Sequence, residues 1–164
     1  MSSQTANPEK SAKREYKVLV AVDFSPTSAH ALRTAASVMG HKPDQIIVLH
    51  VIDKDFIKKC INSRIGTEAD IKKTLFLQTK KKLSGFIQTE GIDCEPIKMI
   101  VCEGIPCLEI NKKAVETGAD MIIMGNRGNS GDMKTIFFGS TTERVLRFMR
   151  CPVLCIPMEE ERKE

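Results

Sequence analysis

The run Lys17-Val18-Leu19-Val20-Ala21-Val22-Asp23-Phe24-Ser25-Pro26 decides the fold class, because a short apolar stretch passes directly into the start of a helix. Lys17 to Val22 is nearly continuous in apolar residues and rich in β-branched ones, the pattern of a strand buried on both faces of a parallel sheet. It ends at Asp23. Ser25 then supplies an N-cap, and Pro26 suits the first helical position, where no N–H donor is needed. Ala29, Leu32, Ala36 and Met39 follow at helical spacing and carry the helix to Gly40. Gln45 to Ile52 is a second buried strand one helix length further on, so the first third of the chain is a βαβ unit.

The same alternation continues. Asp53 to Gly66 has mixed polarity and is read as a connection with a short helical piece. From Thr67 a helix runs toward Glu90 with Ile71, Leu75, Leu83, Phe86 and Ile87 on its buried side, and Gly91 ends it. A third strand is placed at Ile97 to Val101, since Pro96 lacks a ladder donor. Gly104-Ile105-Pro106 opens the next helix, with Cys107, Ile110 and Ala114 on one face and Gly118 at its end. Ala119 to Met124 reads as strand four. Ser140 and Glu143 have capping-box spacing, with Val145, Leu146 and Met149 as the apolar side of a last helix before a fifth strand, Cys151 to Ile156. Five strands alternating with four helices make an open, doubly wound α/β sheet with right-handed crossovers. The expected organisation is a loose tail over 1–15, a single domain over 16–158 and a charged tail over 159–164.

Composition narrows the function classes. The hydrophobic share of 41% and charged share of 28% are those of a globular protein, and no apolar run approaches the roughly 20 residues of a membrane span. The first residues are polar and lack the apolar core of a secretory signal, which points to the cytoplasm. Cys60, Cys94, Cys102, Cys107, Cys151 and Cys155 form no Cys-x-x-Cys pair and are read as buried thiols rather than a disulfide or zinc framework. The net charge of +4 is mild, and the lysines at 72–73 and 80–82 have no aromatic residues among them, so nucleic-acid binding is not needed to explain them.

The chemistry-bearing stretch is Gly125-Asn126-Arg127-Gly128, after the apolar run Met121 to Met124, with Gly139-Ser140 opening a helix further on. Glycines allow backbone amides to approach an anion, and a helix start offers unpaired N–H groups and the positive end of its dipole. The same glycines also suit an ordinary turn before a helix cap. Ligands of such sheets bind at the carboxyl ends of strands near the point where strand order reverses, which brings Asp23 beside this loop if strands one and four are neighbours. A carboxylate there repels phosphate directly; it either holds a divalent metal through water or caps the turn into the first helix. Arg127 either pairs phosphate oxygens or faces solvent.

Across Lys17 to Pro157 the chain resembles the universal stress protein family. The matching residues are Val-Ala-Val-Asp-Phe-Ser at 20–25, Val-Leu-His-Val at 48–51, Gly104 with Pro106, Met-Gly-Asn-Arg-Gly at 124–128, Gly-Ser-Thr-Thr-Glu-Arg-Val at 139–145 and Cys-Pro-Val-Leu at 151–154. The resemblance implies an adenine nucleotide alpha hydrolase-like sheet of order 3-2-1-4-5, a homodimer formed through the last strand and, in one branch of the family, bound ATP. By the same resemblance Ala21, Val22, Asp23 and Val51 contact adenine and ribose, Met124 joins the cofactor-binding set, and Gly125, Arg127, Gly128, Gly139, Ser140 and Thr141 hold ribose and phosphates. Asp23 is the candidate for water-mediated Mg²⁺. One departure stands out: ten residues, Asn129 to Phe138, separate Gly128 from Gly139 where the family pattern has nine, and Gly131-Asp132 holds the extra residue.

The chain has no Gly-x-x-x-x-Gly-Lys-Ser/Thr, so fast hydrolysis is not expected, and His30, His41 and His50 follow no nucleophile pattern, so no catalytic residue is assigned. The expected function is a nucleotide-responsive regulatory protein of the stress response with a protein partner. The alternatives are a dimeric interaction module without nucleotide and a slow ATPase.

Overall fold

The computed structural model describes residues 15–39, 45–63, 66–92, 97–128 and 138–158. The elements are β1 (Lys17–Ala21), α1 (Pro26–Met39), β2 (Gln45–Asp53), α2 (Lys54–Ser63), α3 (Glu68–Thr89), β3 (Ile97–Gly104), α4 (Pro106–Thr117), β4 (Met121–Gly125), α5 (Ser140–Arg147) and β5 (Val153–Ile156). Outside the described residues lie the N-terminal tail to residue 14, the helix stop at Gly40, His41, Cys94, Pro96, the extra residue at Gly131-Asp132 and the tail over 159–164.

All strands are parallel in one five-stranded sheet of order β3-β2-β1-β4-β5, so the chain winds outward from β1 to β3, then returns across β1 to build β4 and β5. Alternation along each strand divides the core. Val18, Val20, Val48 and Ile123 face α1 and α3, meeting Ala31, Leu32, Ala35, Leu83 and Ile87. Leu19, Leu49, Ile122 and Met124 face the other way, against Cys107, Ile110 and Ala114 of α4 and Val145 of α5. Both faces of the central strands are therefore covered, which is why they read as unbroken apolar runs.

Local chemistry sets the helix ends. Ser25 Oγ accepts the Ser28 N–H at 3.1 Å, the cap expected ahead of Pro26. Thr67 caps α3 by accepting from Asp70 N at 3.2 Å. Gly118 ends α4 in the left-handed region at φ 66°, where its N–H bonds back to Ala114 and Val115, a torsion that costs other residues about 1 kcal/mol or more.

Several boundaries differ from the sequence reading. The connection after β2 is a full helix, α2, so among the described residues five helices rather than four flank the sheet. Strand β3 runs on to Gly104 because β2 continues beside it as far as Asp53. Strands β1, β4 and β5 begin or end inside the apolar runs that announced them, β1 because the chain turns off the sheet at Asp23 while β2 continues. Helix α5 stops at Arg147 and leaves Met149 exposed, not packed. Cys60 and Cys107 are buried, while Cys102, Cys151 and Cys155 are half-buried with thiols pushed up by desolvation, the opposite of a reactive thiolate.

Leu19 is fully buried at the centre of the sheet, so Leu19→Ala should cost about 2–5 kcal/mol in chemical denaturation. A loss below about 1 kcal/mol would contradict the packing described here.

Candidate functional site

Strand order reverses between β1 and β4, and at their carboxyl ends a cavity of about 550 Å³ opens, within the size range of small-molecule sites. Its wall carries every site residue expected from sequence: Ala21, Val22 and Asp23 at the end of β1, Val51 on β2, Met124 and Gly125 at the end of β4, Arg127 and Gly128 in the following turn, and Gly139, Ser140 and Thr141 at the start of α5. Leu49, His50, Asp53, Pro106, Ile110, Phe138, Thr142, Glu143 and Ser28 complete the lining.

The glycines are there for room and not for torsion. None of Gly125, Gly128 and Gly139 has a positive φ, so what each supplies is the absence of a Cβ. A Cβ on Gly125 would stand 2.7 Å from Thr27 Cγ2 in α1, and one on Gly139 would stand 3.3 Å from Arg127 Cα. On Gly128 it would run into Asp23 Oδ2. The three glycines thus let the turn, α1 and Asp23 close on one another, which keeps the backbone amides at the cavity surface.

Helix α5 meets the cavity with its N-terminus. Gly139 is the N-cap, no side chain caps the helix, and the first internal bond is Glu143 N to Gly139 O at 2.9 Å. The expected capping box is absent because Ser140 is the first helical residue, and Glu143 pairs instead with Arg147 at 3.0 Å. The N–H groups of Ser140, Thr141 and Thr142 are consequently left for whatever occupies the cavity, at the positive end of the helix dipole. Thr142 Oγ1 donates to Gly125 O at 3.0 Å, and Gly139 N donates to Asn126 O at 2.8 Å, which ties helix and turn into one unit.

Asp23 Oδ1 accepts from both the backbone N–H, at 3.0 Å, and the hydroxyl of Ser25, so its turn-capping role is realised. Phe24 follows at φ 65°, an uncommon torsion for a side chain of this size, and its ring is held by His50 at 4.5 Å, Phe86 at 5.5 Å edge-on and the Lys82 ammonium at 4.1 Å. No group of three or more potential metal ligands exists among the described residues. A cation at Asp23 therefore fits only if it draws most of its ligands from water and from phosphate oxygens, which is the habit of Mg²⁺.

The edge of β2 is open beside Asp23. The β1–β2 ladder stops at Ala21 opposite Leu49, and Val22 N donates to Leu49 O at 2.9 Å just beyond it. Alternate residues of a strand present their N–H and C=O to the same neighbour, so Val51 presents both groups past the end of β1. If the ladder ran on, Val51 N–H would meet Val22 O. That carbonyl instead lies 2.7 Å from His50 Nδ1, and since a carbonyl only accepts, Nδ1 carries the proton. Sequence reasoning missed His50, Leu49 and Asp53; the spacing of Leu49 and Asp53 two residues either side of Val51 was the available signal.

Burial pushes the His50 imidazole below its ordinary value near 6.5, with Lys82 adding to the fall and the Val22 carbonyl and Asp23 opposing it. The unfolded chain thus binds this proton more readily. His50 contributes stability that is present above pH 6.5 and is lost as pH falls from there through its folded value. Denaturation between pH 7.5 and 5 should show this loss, and His50→Gln should flatten it; an unchanged pH slope in the variant would contradict the assignment.

The model of the universal stress protein family matches residues 16–157. Universal stress protein MJ0577 of Methanocaldococcus jannaschii is 35% identical over 153 residues, spanning 85% of this chain and 93% of the relative. The solved structure of MJ0577 superposes with a TM-score of 0.75 at 33% identity, covering 89% of this chain and 98% of that one. Two more distant structures share the fold. A universal stress protein in complex with cAMP superposes with a TM-score of 0.58 at 20% identity, covering 88% of this chain and 98% of that chain. The universal stress protein from Archaeoglobus fulgidus in complex with dAMP gives 0.53 at 23%, covering 87% and 98%.

Proposed function

The chain belongs to the universal stress protein family, and from that membership and the form of its cavity we propose that it is an ATP-binding regulatory member. The observation that carries this reading is the convergence of Asp23, Val51, the turn Gly125 to Gly128 and the uncapped start of α5 on a single cavity wall. Adenine lies against Leu49, Val51 and Met124, where the apolar wall is continuous and the Val51 backbone offers a donor and an acceptor side by side. The phosphates take the amides of Gly128 and of Ser140 to Thr142, with Arg127 alongside. Asp23 holds Mg²⁺ through water and so joins rather than repels them. The complexes of other family members with cAMP and dAMP support an adenine nucleotide as the ligand class.

Regulation follows from how the site is tied to the sheet edge. Asn126 N donates to Ile156 O at 2.7 Å, so the turn that closes on the nucleotide is bonded to β5. Strand β5 is an edge, and its Leu154 is exposed, which suits pairing with a second copy in a homodimer. Nucleotide occupancy thereby changes the surface that the dimer offers to a protein partner in the cytoplasm. Hydrolysis is slow, because the sequence has no P-loop lysine and the described residues offer no general base beyond Asp23. No helix among the described residues is long and apolar enough to cross a membrane.

Calorimetric titration with ATP and Mg²⁺ should give saturable heat, reduced when Mg²⁺ is withheld, and purified protein should release adenine nucleotide on denaturation. Gly128→Val, whose side chain would displace the Asp23 carboxylate, should lose that heat while keeping its circular dichroism. No heat at millimolar ATP in the wild type leaves the interaction module without nucleotide as the reading. Light scattering at micromolar concentration should report a dimer, and a monomer would contradict the β5 pairing.

A further inference from the structure

Asp53 stands at the carboxyl end of β2, on the cavity wall, two residues past Val51 and therefore on the same strand edge. It is the last residue of the β2–β3 ladder, opposite Gly104. Its carboxylate is held in place. Oδ1 accepts from the N–H of Asp55 at 2.7 Å and of Phe56 at 3.3 Å, both in the first turn of α2, which leaves Oδ2 without a hydrogen bond among the described residues. Those two bonds fix the side chain by the same capping geometry that starts α2, so the carboxylate costs little further entropy to present. The neighbouring wall is apolar: Leu49, Val51, Pro106, Ile110 and Met124. A planar base fits against those side chains, and Asp53 is the charged acceptor at the β2 end of them.

The order of groups along the β2 edge sets what each reads. Val51 N–H comes first, Val51 C=O second and Asp53 third, in the direction of the strand. Adenine laid along this edge gives its N1 acceptor to Val51 N–H and one hydrogen of its 6-amino group to Val51 C=O. The second amino hydrogen then points onward along the strand. We propose that Asp53 accepts this second hydrogen, so that both hydrogens of the exocyclic amine are read, one by the backbone and one by a carboxylate. A charge-assisted bond of this kind is stronger than a neutral one, and a group that cannot donate forfeits it. The site thereby selects an unsubstituted 6-amino purine. This specificity rests on the adenine-nucleotide reading given above.

The discriminating ligand is ATP methylated on the 6-amino nitrogen, which keeps N1 and one amino hydrogen for Val51 but carries a methyl group toward Asp53. The full chain with Mg²⁺ should bind ATP at least about tenfold more tightly than the methylated nucleotide. Asp53→Ser retains a hydroxyl able to cap α2 but no longer reaches the amine, and should bring the two affinities to within about twofold of each other. Should that variant melt early, Asp53→Asn, whose amide oxygen keeps the cap and whose NH2 donor replaces the second acceptor, should likewise bring the two affinities to within about twofold. Equal affinity of the wild type for both nucleotides, or an unchanged preference in the folded variant, overturns the role of Asp53 while leaving nucleotide binding intact. Failure of the wild type to bind either nucleotide overturns both readings.

Discussion

Phe24 sits at φ 65° between Asp23, which caps the turn through Ser25, and Ser25, which caps α1, and this turn carries the chain off the sheet while β2 still has residues to run. The crevice depends on that early departure. Had β1 continued in register, Val51 would be paired, Asp23 would lie in a ladder and α5 would face a closed sheet edge. The torsion is unfavourable in itself, by about 1–3 kcal/mol, and the stack of Phe24 on His50 with Phe86 and Lys82 around it offsets that cost. His50 has a double place in this arrangement, since its ring supports Phe24 while its Nδ1–H occupies the Val22 carbonyl.

A carboxylate beside an anion site is otherwise a liability. At Asp23 the structure resolves it by turning Oδ1 into the Ser25 cap and placing Oδ2 where a Cβ on Gly128 would displace it. The opposite wall offers the backbone amides at the start of α5, which no side chain caps. Missing cap, crowded glycines and interrupted ladder are each destabilising alone. Together they leave one surface with backbone donors on one side and a carboxylate on the other, the arrangement on which the proposed nucleotide binding rests.

Much of this was legible in the chain. Unbroken apolar runs such as Val18 to Ala21 and Ile46 to Leu49 mark strands covered on both faces, and their alternation with helical spacing is enough to name a parallel sheet. Strand ends were less legible, as Asp53 and Gly104 show: each is in the ladder only because the other is opposite it. The sequence shows α2 only as a connection with a short helical piece because its buried face is narrow, Ile57 and Cys60, and is completed by Ile71 and Leu75 of α3. Within the site, the glycine turn, Asp23 and Ser140 carried a local signal in their spacing. Asp53 was signalled only by its spacing of two residues from Val51 on the same strand, and Pro106 carried no such signal, because the packing of α4 that brings it to the cavity leaves no local pattern.

The most direct measurement is a ¹⁵N NMR titration of the protein with ATP and Mg²⁺, followed amide by amide. A nucleotide seated in this crevice predicts saturable shifts at Val51, Gly125, Gly128, Ser140, Thr141 and Thr142, with the far ends of the strands, such as Lys17 and Gln45, unmoved. Those six amides staying in place at millimolar ATP, or shifts centred elsewhere on the molecule, would contradict it.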